Sequence, residues 1–166
     1  MIALKQVLVA TDFSEASATA LEYGRALAHT FNATLHVVHV VDNLVAAGMM
    51  AEPAPGNYAA LIDQFEAAAE KQLRATIGED DRRELNAETV LLRMAPARGI
   101  VSYAETAEID LIVMGTHGRG GWSHLLMGSV AEKVVRTAPC PVLTVRHPER
   151  EFIAPDALQV VGRAEK

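Results

Sequence analysis

Several features that mark whole classes of protein are scarce in this sequence. Cys140 is the only cysteine among 166 residues, which excludes a disulfide within the chain and fits a reducing compartment. Aromatic residues make up only 5% of the chain, so Ala, Val, Leu and Ile must fill its core. Positively charged residues are also fewer than negatively charged ones, with 15 Lys and Arg against 21 Asp and Glu. The formal net charge of −6 argues against a nucleic-acid or anionic-membrane partner, because both require a basic face.

Long apolar segments are missing too. No apolar run approaches the roughly 18 residues that cross a bilayer. The chain begins close to the strand-like run Val7–Ala10 and lacks the charged region, the long apolar region and the cleavage site of a signal peptide. We therefore expect a soluble, cytoplasmic protein of about one domain.

The best-known catalytic and phosphate-binding motifs are absent as well. The sequence has no P-loop motif, and Gly118 and Gly120 lack the third glycine of a dinucleotide fingerprint. It has no His/Cys spacing typical of a metal site, no Gly-x-Ser-x-Gly elbow and no nucleophile beside a base. We therefore assign no catalytic residue and no residue that binds a metal directly.

Strand-like and helix-like patterns alternate along the chain. The apolar runs predict strands at Gln6–Ala10, Leu35–Val41, Glu88–Arg93, Ile109–Met114 and Pro141–Arg146. Helical spacing predicts helices from the Asp12–Glu15 start signal, from Tyr58 to a stop at Gly78, from Pro96, and over Val130–Arg136. Between them, Asp42–Gly56 is predicted to be a long loop and Glu79–Arg83 a solvated charge cluster.

This alternation predicts an α/β fold with a single doubly wound, five-stranded parallel sheet in the order 3-2-1-4-5 and helices on both faces. In such sheets, ligands bind beyond the carboxyl ends of the strands, where the strand order reverses. That point lies between the first and fourth strands. Thr11, Asp12 and Gly115 would then face one crevice.

A spaced glycine motif follows the fourth strand. Gly115 and Gly118 have two residues between them, and nine residues separate Gly118 from Gly128 and Ser129, which precede the last helix. A strand, a glycine-bearing loop and a helix N-terminus make a natural anion site, because main-chain N–H groups converge there and the absent Cβ atoms admit a phosphate. A simpler reading is that the glycines only shape a tight loop. We favour a nucleotide bound through its phosphates.

This motif resembles the Gly-x2-Gly-x9-Gly-Ser/Thr motif of the ATP-binding members of the universal stress protein family. Further segments that are similar to the family are Val9–Ser14, His39–Asp42, Gly128–Glu132 and Pro139–Leu143. The departures are small: Ala10 replaces a frequent proline, and Ala95–Pro96 replaces a Gly-x-Pro turn. We assign residues 1–147 to a nucleotide-binding domain and residues 148–166 to a C-terminal tail.

The resemblance implies that adenine lies near the ends of the first two strands and that Mg²⁺ is held on the phosphate oxygens of ATP. Asp12 would accept hydrogen bonds from the ribose hydroxyls, and Thr11 and the main chain of Val40 would contact the base. The remaining implied contacts lie beside the ribose or the phosphates. The implied binding residues are Ala10, Thr11, Asp12, Val40, Met114, Gly115, His117, Gly118, Arg119, Gly128, Ser129 and Val130.

Three of these residues also have simpler interpretations. Asp12 and Ser129 could each cap the helix that follows, because both precede an apolar helical pattern with a glutamate three residues later. Arg119 could be a solvent-exposed loop residue instead of a phosphate partner.

Residues outside the implied site are open to two interpretations each. His36 and His39, on the second strand, are expected to be core or dimer-face residues rather than ligands. Met49 and Met50 belong either to a lid over the nucleotide or to an ordinary flexible loop. The tail is either disordered or packed on a neighbouring molecule.

Three functions remain open at this point. The favoured one is a nucleotide-dependent stress-response or regulatory protein that acts on an unknown protein partner through a homodimer, with the last strand as the pairing edge that the resemblance implies. A slow ATPase or nucleotide-transfer enzyme of the same fold is the second, and a stress protein that responds without nucleotide is the third. The resident ligand could be ATP, ADP, AMP or a cyclic nucleotide, because the motif recognises phosphate rather than its number.

Overall fold

The computed structural model describes residues 2–42, 58–116 and 127–146. The strands are β1 (Gln6–Ala10), β2 (Thr34–Val41), β3 (Glu88–Arg93), β4 (Leu111–Gly115) and β5 (Val142–Val145). The helices are α1 (Glu15–Phe31), α2 (Tyr58–Ala75), α3 (Glu79–Glu84), α4 (Pro96–Thr106) and α5 (Ser129–Thr137). The predicted loop with Met49 and Met50 and the tail 148–166 lie outside the described residues.

The five strands form one parallel sheet in the order β3-β2-β1-β4-β5, which confirms the predicted topology. The central strand β1 pairs with β2 on one side and with β4 on the other, so that Ala10 lies opposite both Val38 and Met114. Val7, Leu8 and Val9 are fully buried. This burial on both faces explains why β1 reads as a continuous apolar run rather than an alternating one.

Helices cover the two faces of the sheet, and each face has its own apolar core. Val9 and Val37 point to the face under α1 and α2, where they join Ala20 and Leu73. The opposite face lies under α4 and α5, with buried residues that include Leu8, Val38, Ile100, Ala104, Ala131 and Val134. The doubly wound arrangement predicted from the sequence is therefore confirmed.

Helix α1 packs closely on the sheet. A Cβ atom built on Gly24 would lie only 2.2 Å from the Cγ2 atom of Val9. The helix begins after Ser14, whose hydroxyl accepts from the N–H of Ser17, and it ends at Asn32 in the left-handed region with a φ of 53°. Asparagine tolerates this conformation better than most residues, which is why the helix stops there.

One local prediction near residue 78 is wrong and another is incomplete. Gly78 does not end α2, because that helix ends at Ala75 and Gly78 instead precedes α3 with an ordinary φ of −76°. The charged run Glu79–Arg83 is solvated as predicted, since no residue of α3 is buried, but it also forms a helix that was not predicted. Acidic residues occupy its first turn and arginines its last, which is the arrangement that the helix dipole favours.

Among residues 2–42, 58–116 and 127–146, none of the helices combines the length and the apolar character that a membrane crossing requires.

Candidate functional site

The carboxyl ends of β1 and β4 are neighbours at the point where the strand order reverses. Ala10 and Met114, the paired residues near these ends, are almost fully buried. Thr11 and Gly115 follow them, so the sheet brings together the two segments that the sequence predicted to face one crevice. Ligands of doubly wound sheets bind at such a point, because no strand connection covers it.

Thr11 anchors the segment that leaves β1. Its N–H donates to the carbonyl of Val38 at 2.9 Å, and its hydroxyl accepts from the N–H of Phe13 at 3.0 Å. The same hydroxyl lies 3.1 Å from that of Ser17. Thr11 is buried and fully engaged in holding the turn, so its side chain has a structural role whether or not it also touches a base.

Asp12 is half-buried and is oriented by Ser14. Its Oδ1 atom accepts from the Ser14 N–H at 3.1 Å and from the Ser14 hydroxyl at 2.5 Å. The proposed capping role of Asp12 is wrong in detail, because Ser14 is the N-cap residue of α1. Asp12 instead fixes the cap residue, and the turn holds its carboxylate just beyond the carboxyl end of β1.

Val40 lies two residues beyond the last rung that joins β2 to β1. The N–H of Thr34 donates to Lys5 and the carbonyl of Val38 accepts from Thr11, so the even-numbered residues of β2 direct their main-chain groups toward β1. Val40 shares this direction, because alternate residues of a strand face the same neighbour. Its N–H and C=O therefore face the side of the crevice where β1 has already ended.

His39, which the sequence predicted to be a core or dimer-face residue, is half-buried against the turn that follows β1. Its Nδ1 atom lies 2.7 Å from the carbonyl oxygen of Thr11. Its ring packs on that of Phe13 with a centroid separation of 4.3 Å, and Phe13 itself has a φ of 64° in the left-handed region. The contact joins His39 to a main-chain carbonyl that is distant in the sequence, so no local pattern reveals it.

Packing alone requires a glycine at position 115. A Cβ atom built on it would lie 2.9 Å from the Cβ atom of Ala16 and 3.0 Å from the carbonyl carbon of the same residue. The end of β4 therefore touches the first turn of α1 directly. Gly115 is the last residue of this strand, rather than the first residue of the loop as the sequence pattern had predicted.

The N-terminus of α5 lies beside the end of β4. The N–H of Gly128 donates to the carbonyl of Thr116 at 2.6 Å, which joins the two segments. The predicted cap at Ser129 is wrong, because Gly128 is the N-cap residue and Ser129 is already helical. Gly128 has no side chain that could cap the helix, so within the described residues no N-cap side chain satisfies the N–H groups of the first turn, which include those of Ser129 and Val130.

Three residues of the predicted site, His117, Gly118 and Arg119, lie outside the described residues. Within the part of the chain that the structure describes, no three His, Cys, Asp or Glu side chains converge in a way that could hold a metal ion.

His36 lies far from this crevice, in the half of β2 near the amino edge of the sheet. Its Nε2 atom lies 2.7 Å from the Oε1 atom of Gln6, and its Nδ1 atom lies 3.0 Å from the hydroxyl of Tyr103. Burial lowers the pKa of His36, against an opposing effect of Glu88. These contacts agree with the predicted core role for His36.

Cys140 is half-buried beside the core of the second face. Burial raises the pKa of its thiol. A raised pKa keeps the sulfur protonated and unreactive, as expected of a small apolar core residue.

Comparison with known proteins identifies one family. A family model described as the universal stress protein family matches residues 3–146. A universal stress protein of Methanocaldococcus jannaschii is 33% identical over 147 residues, which cover 89% of this chain and 85% of that protein. A universal stress protein of Thermus aquaticus is 36% identical over 149 residues, which cover 86% of this chain and 98% of that protein.

Solved structures of the same family share the fold. The universal stress protein UspA from Lactobacillus plantarum superposes with a TM-score of 0.74 at 28% identity, covering 88% of this chain and all of that one (100%). A universal stress protein in complex with cAMP has a TM-score of 0.54 at 25% identity, covering 87% and 98%. One from Archaeoglobus fulgidus in complex with dAMP has a TM-score of 0.58 at 22% identity, covering 87% and 99%, and this last likeness concerns the fold alone.

Proposed function

The chain belongs to the universal stress protein family, and we propose that it binds ATP along the carboxyl edge of its sheet. Bound nucleotide would bias the conformation or pairing of a cytoplasmic homodimer that acts on a protein partner in a stress response. The observation that carries the proposal is the convergence of three elements at the strand-order reversal. These are the Asp12 carboxylate, the main chain of Val40 and the N-terminus of α5.

The base and ribose would lie over the ends of β1 and β2. A main-chain N–H and C=O at Val40 offer one donor and one acceptor, which suits an adenine edge that also carries both. The carboxylate of Asp12 suits two adjacent ribose hydroxyls, because an ionised carboxylate accepts through both oxygens. A universal stress protein solved in complex with cAMP supports an adenine nucleotide as the ligand class.

The phosphates would lie at the start of α5. Its first turn directs N–H groups outward without a capping side chain, and the helix dipole favours negative charge there. Because the Gly128 N–H already donates to Thr116, we assign the phosphate contacts on this helix to the N–H groups of Ser129 and Val130. Gly118 and Arg119 would add to them from the loop.

Mg²⁺ would be held through phosphate oxygens rather than by a protein cage. Magnesium commonly keeps several waters and binds substrate phosphates with few protein ligands. The Asp12 carboxylate at this edge can accept hydrogen bonds from the waters of such a hydrated ion.

The homodimer would form through β5. This strand lies at one end of the sheet order, so it presents an unpaired edge of main-chain groups within the described chain. Joining the β5 edges of two chains would give the main-chain groups of both edges hydrogen-bond partners. Such a contact between identical surfaces is symmetric, as is common in homodimers.

The decisive measurement is calorimetric titration of the purified protein with Mg-ATP, together with mass spectrometry of any nucleotide that co-purifies. We expect binding, and we expect Asp12→Asn to weaken it by about tenfold to a hundredfold, because a hydrogen bond to a charged group is worth about 1.5–3 kcal/mol. Asparagine keeps the Oδ1 acceptor for Ser14, so the turn should survive.

Asp63→Asn provides the control, since Asp63 is an exposed carboxylate on α2. It should bind Mg-ATP as the unmodified protein does. Protein that neither carries a nucleotide nor releases heat with Mg-ATP would contradict the proposal. A single-turnover assay on the same samples separates binding from hydrolysis.

A further inference from the structure

We propose that His39 is a positioning residue of the nucleotide site, which ends the β1–β2 ladder one rung early and so leaves the main-chain N–H of Val40 for the ligand. The inference rests on the proposed function, since it concerns how that site is kept open. It assigns to His39 a role that neither its position on an apolar strand nor its burial would suggest.

The register of the sheet defines the rung that is missing. Ala10 is paired with Val38, and the last hydrogen bond of the ladder runs from the Thr11 N–H to the carbonyl of Val38 at 2.9 Å. In a parallel ladder the next bond would run from the Val40 N–H to the carbonyl of Thr11. No such bond is present in the described part of the chain.

The carbonyl of Thr11 accepts from His39 instead. Nδ1 lies 2.7 Å from that oxygen, and a carbonyl can only accept, so Nδ1 must carry the proton. The imidazole thus satisfies a main-chain acceptor that would otherwise attract the Val40 N–H. A buried acceptor left without a donor is costly, which gives the ladder a reason to close if the imidazole is removed.

Phe13 holds the imidazole in place and turns the chain away from β2. Its ring packs on that of His39 at 4.3 Å, and its left-handed φ of 64° prevents β1 from continuing alongside Val40. The Thr11 hydroxyl fixes the N–H of Phe13 at 3.0 Å. His39, Phe13 and Thr11 therefore form one unit that separates the two strands at this level.

A matched pair of variants tests the role. Asparagine places its side-chain nitrogen the same number of bonds from Cα as Nδ1, so His39→Asn keeps the donor. Leucine has nearly the same shape as asparagine but carries no hydrogen-bond donor. We expect His39→Asn to bind Mg-ATP within about threefold of the unmodified protein and His39→Leu about tenfold more weakly, as for one lost hydrogen bond.

Amide exchange of Val40 provides a readout without nucleotide. In the unmodified protein we expect its N–H to exchange quickly and to become protected when Mg-ATP binds. In His39→Leu it should be protected already, because the ladder closes. A slowly exchanging Val40 N–H in the unmodified, nucleotide-free protein would overturn the inference, as would equal affinity of the Leu and Asn variants.

The two proposals fail differently. If the unmodified protein does not bind Mg-ATP, the proposed function fails, while the exchange rate of Val40 and the nitrogen NMR signal of a protonated Nδ1 still test the role of His39. If it binds and His39→Leu binds equally well, only the positioning role fails. Should His39→Leu not fold, the same two measurements on the unmodified protein decide the question.

Discussion

At the residue scale, Gly24 allows helix α1 to pack closely on the sheet because glycine has no Cβ atom. A Cβ atom there would lie 2.2 Å from the Cγ2 atom of Val9, a fully buried residue of the central strand. We expect Gly24→Ala to lower the free energy of unfolding by about 1–2 kcal/mol. Overpacking typically costs about 1–3 kcal/mol, and the better helix propensity of alanine offsets part of it.

Gly78→Ala is the matched control for that prediction. Nothing lies within 4 Å of a Cβ built on Gly78, and its φ of −76° suits alanine. Urea unfolding of the two variants should show a clear loss for Gly24→Ala and a smaller one, of about 0.5–1 kcal/mol, for Gly78→Ala, because Gly78 has no clash but is the N-cap residue of α3, where alanine is less favourable than glycine. If the two variants lost the same free energy of unfolding, the clash with Val9 would cost nothing, because α1 could move away from the sheet.

The same scale shows what a sequence can and cannot predict about the site. The common location of Asp12 and Gly115 was predictable, because Asp12 lies just beyond β1, Gly115 ends β4, and the parallel sheet brings both strand ends to one edge. His39 was not recognisable, because its partner is a main-chain carbonyl 28 positions away. Ser129 was misread as a cap because the glycine before it, without any side chain, takes that position.

At the scale of elements, β5 is the strand on which the proposed homodimer depends. The carbonyls of Pro141 and Val145 accept from Ile112 and Thr116 of the β4 side, so the alternate residue Thr144 directs its main-chain groups away from the sheet. We expect Thr144→Pro to weaken the dimer, because proline removes an outward N–H while the inward ladder is kept.

Sedimentation velocity over a concentration series measures this effect. Thr144→Val, which keeps the N–H and the β-branched shape, should assemble as the unmodified protein does. A Thr144→Pro dimer of unchanged stability would show that the edge of β5 is not the interface. A monomer at every concentration, in the unmodified protein, would contradict the dimer itself.

Strands and helices with strong apolar patterns were predictable from the sequence, whereas the charged helix α3 was not. The strands β1 and β3 have the predicted bounds, because an apolar run between turn residues leaves little choice of register. Helix α3 was missed because none of its residues is buried, so its sequence carries no apolar stripe. It is fixed instead by Asp81, which binds Arg25 of α1 and the N–H of Gly78.

At the scale of the whole molecule, His36 links the stability of the fold to pH. Its contacts with Gln6 of β1 and Tyr103 of α4 join three elements, and burial lowers its pKa from the ordinary value of 6.5. The folded protein therefore takes up a proton at His36 less readily than the unfolded chain. The free energy of unfolding should decline as the pH falls below 6.5 and level off below the folded pKa.

Chemical denaturation at a series of pH values tests this, with His36→Gln as the comparison. Glutamine does not titrate, so the difference between the two pH profiles isolates the contribution of His36. The difference should shrink toward low pH. A difference that stays constant across this range would show that protonation of His36 is equally easy in the folded and unfolded states.

All five strands run in one direction, so the sheet has two chemically different rims. His36 and its partners are nearer the rim where the strands begin, whereas Asp12, His39 and the start of α5 belong to the rim where they end. The residue that we expect to set the acid stability of the fold and the residues of the proposed nucleotide site therefore lie on different rims. A substitution at His36 should therefore change how the fold withstands acid without reaching the opposite rim, which lies beyond the carboxyl ends of the strands.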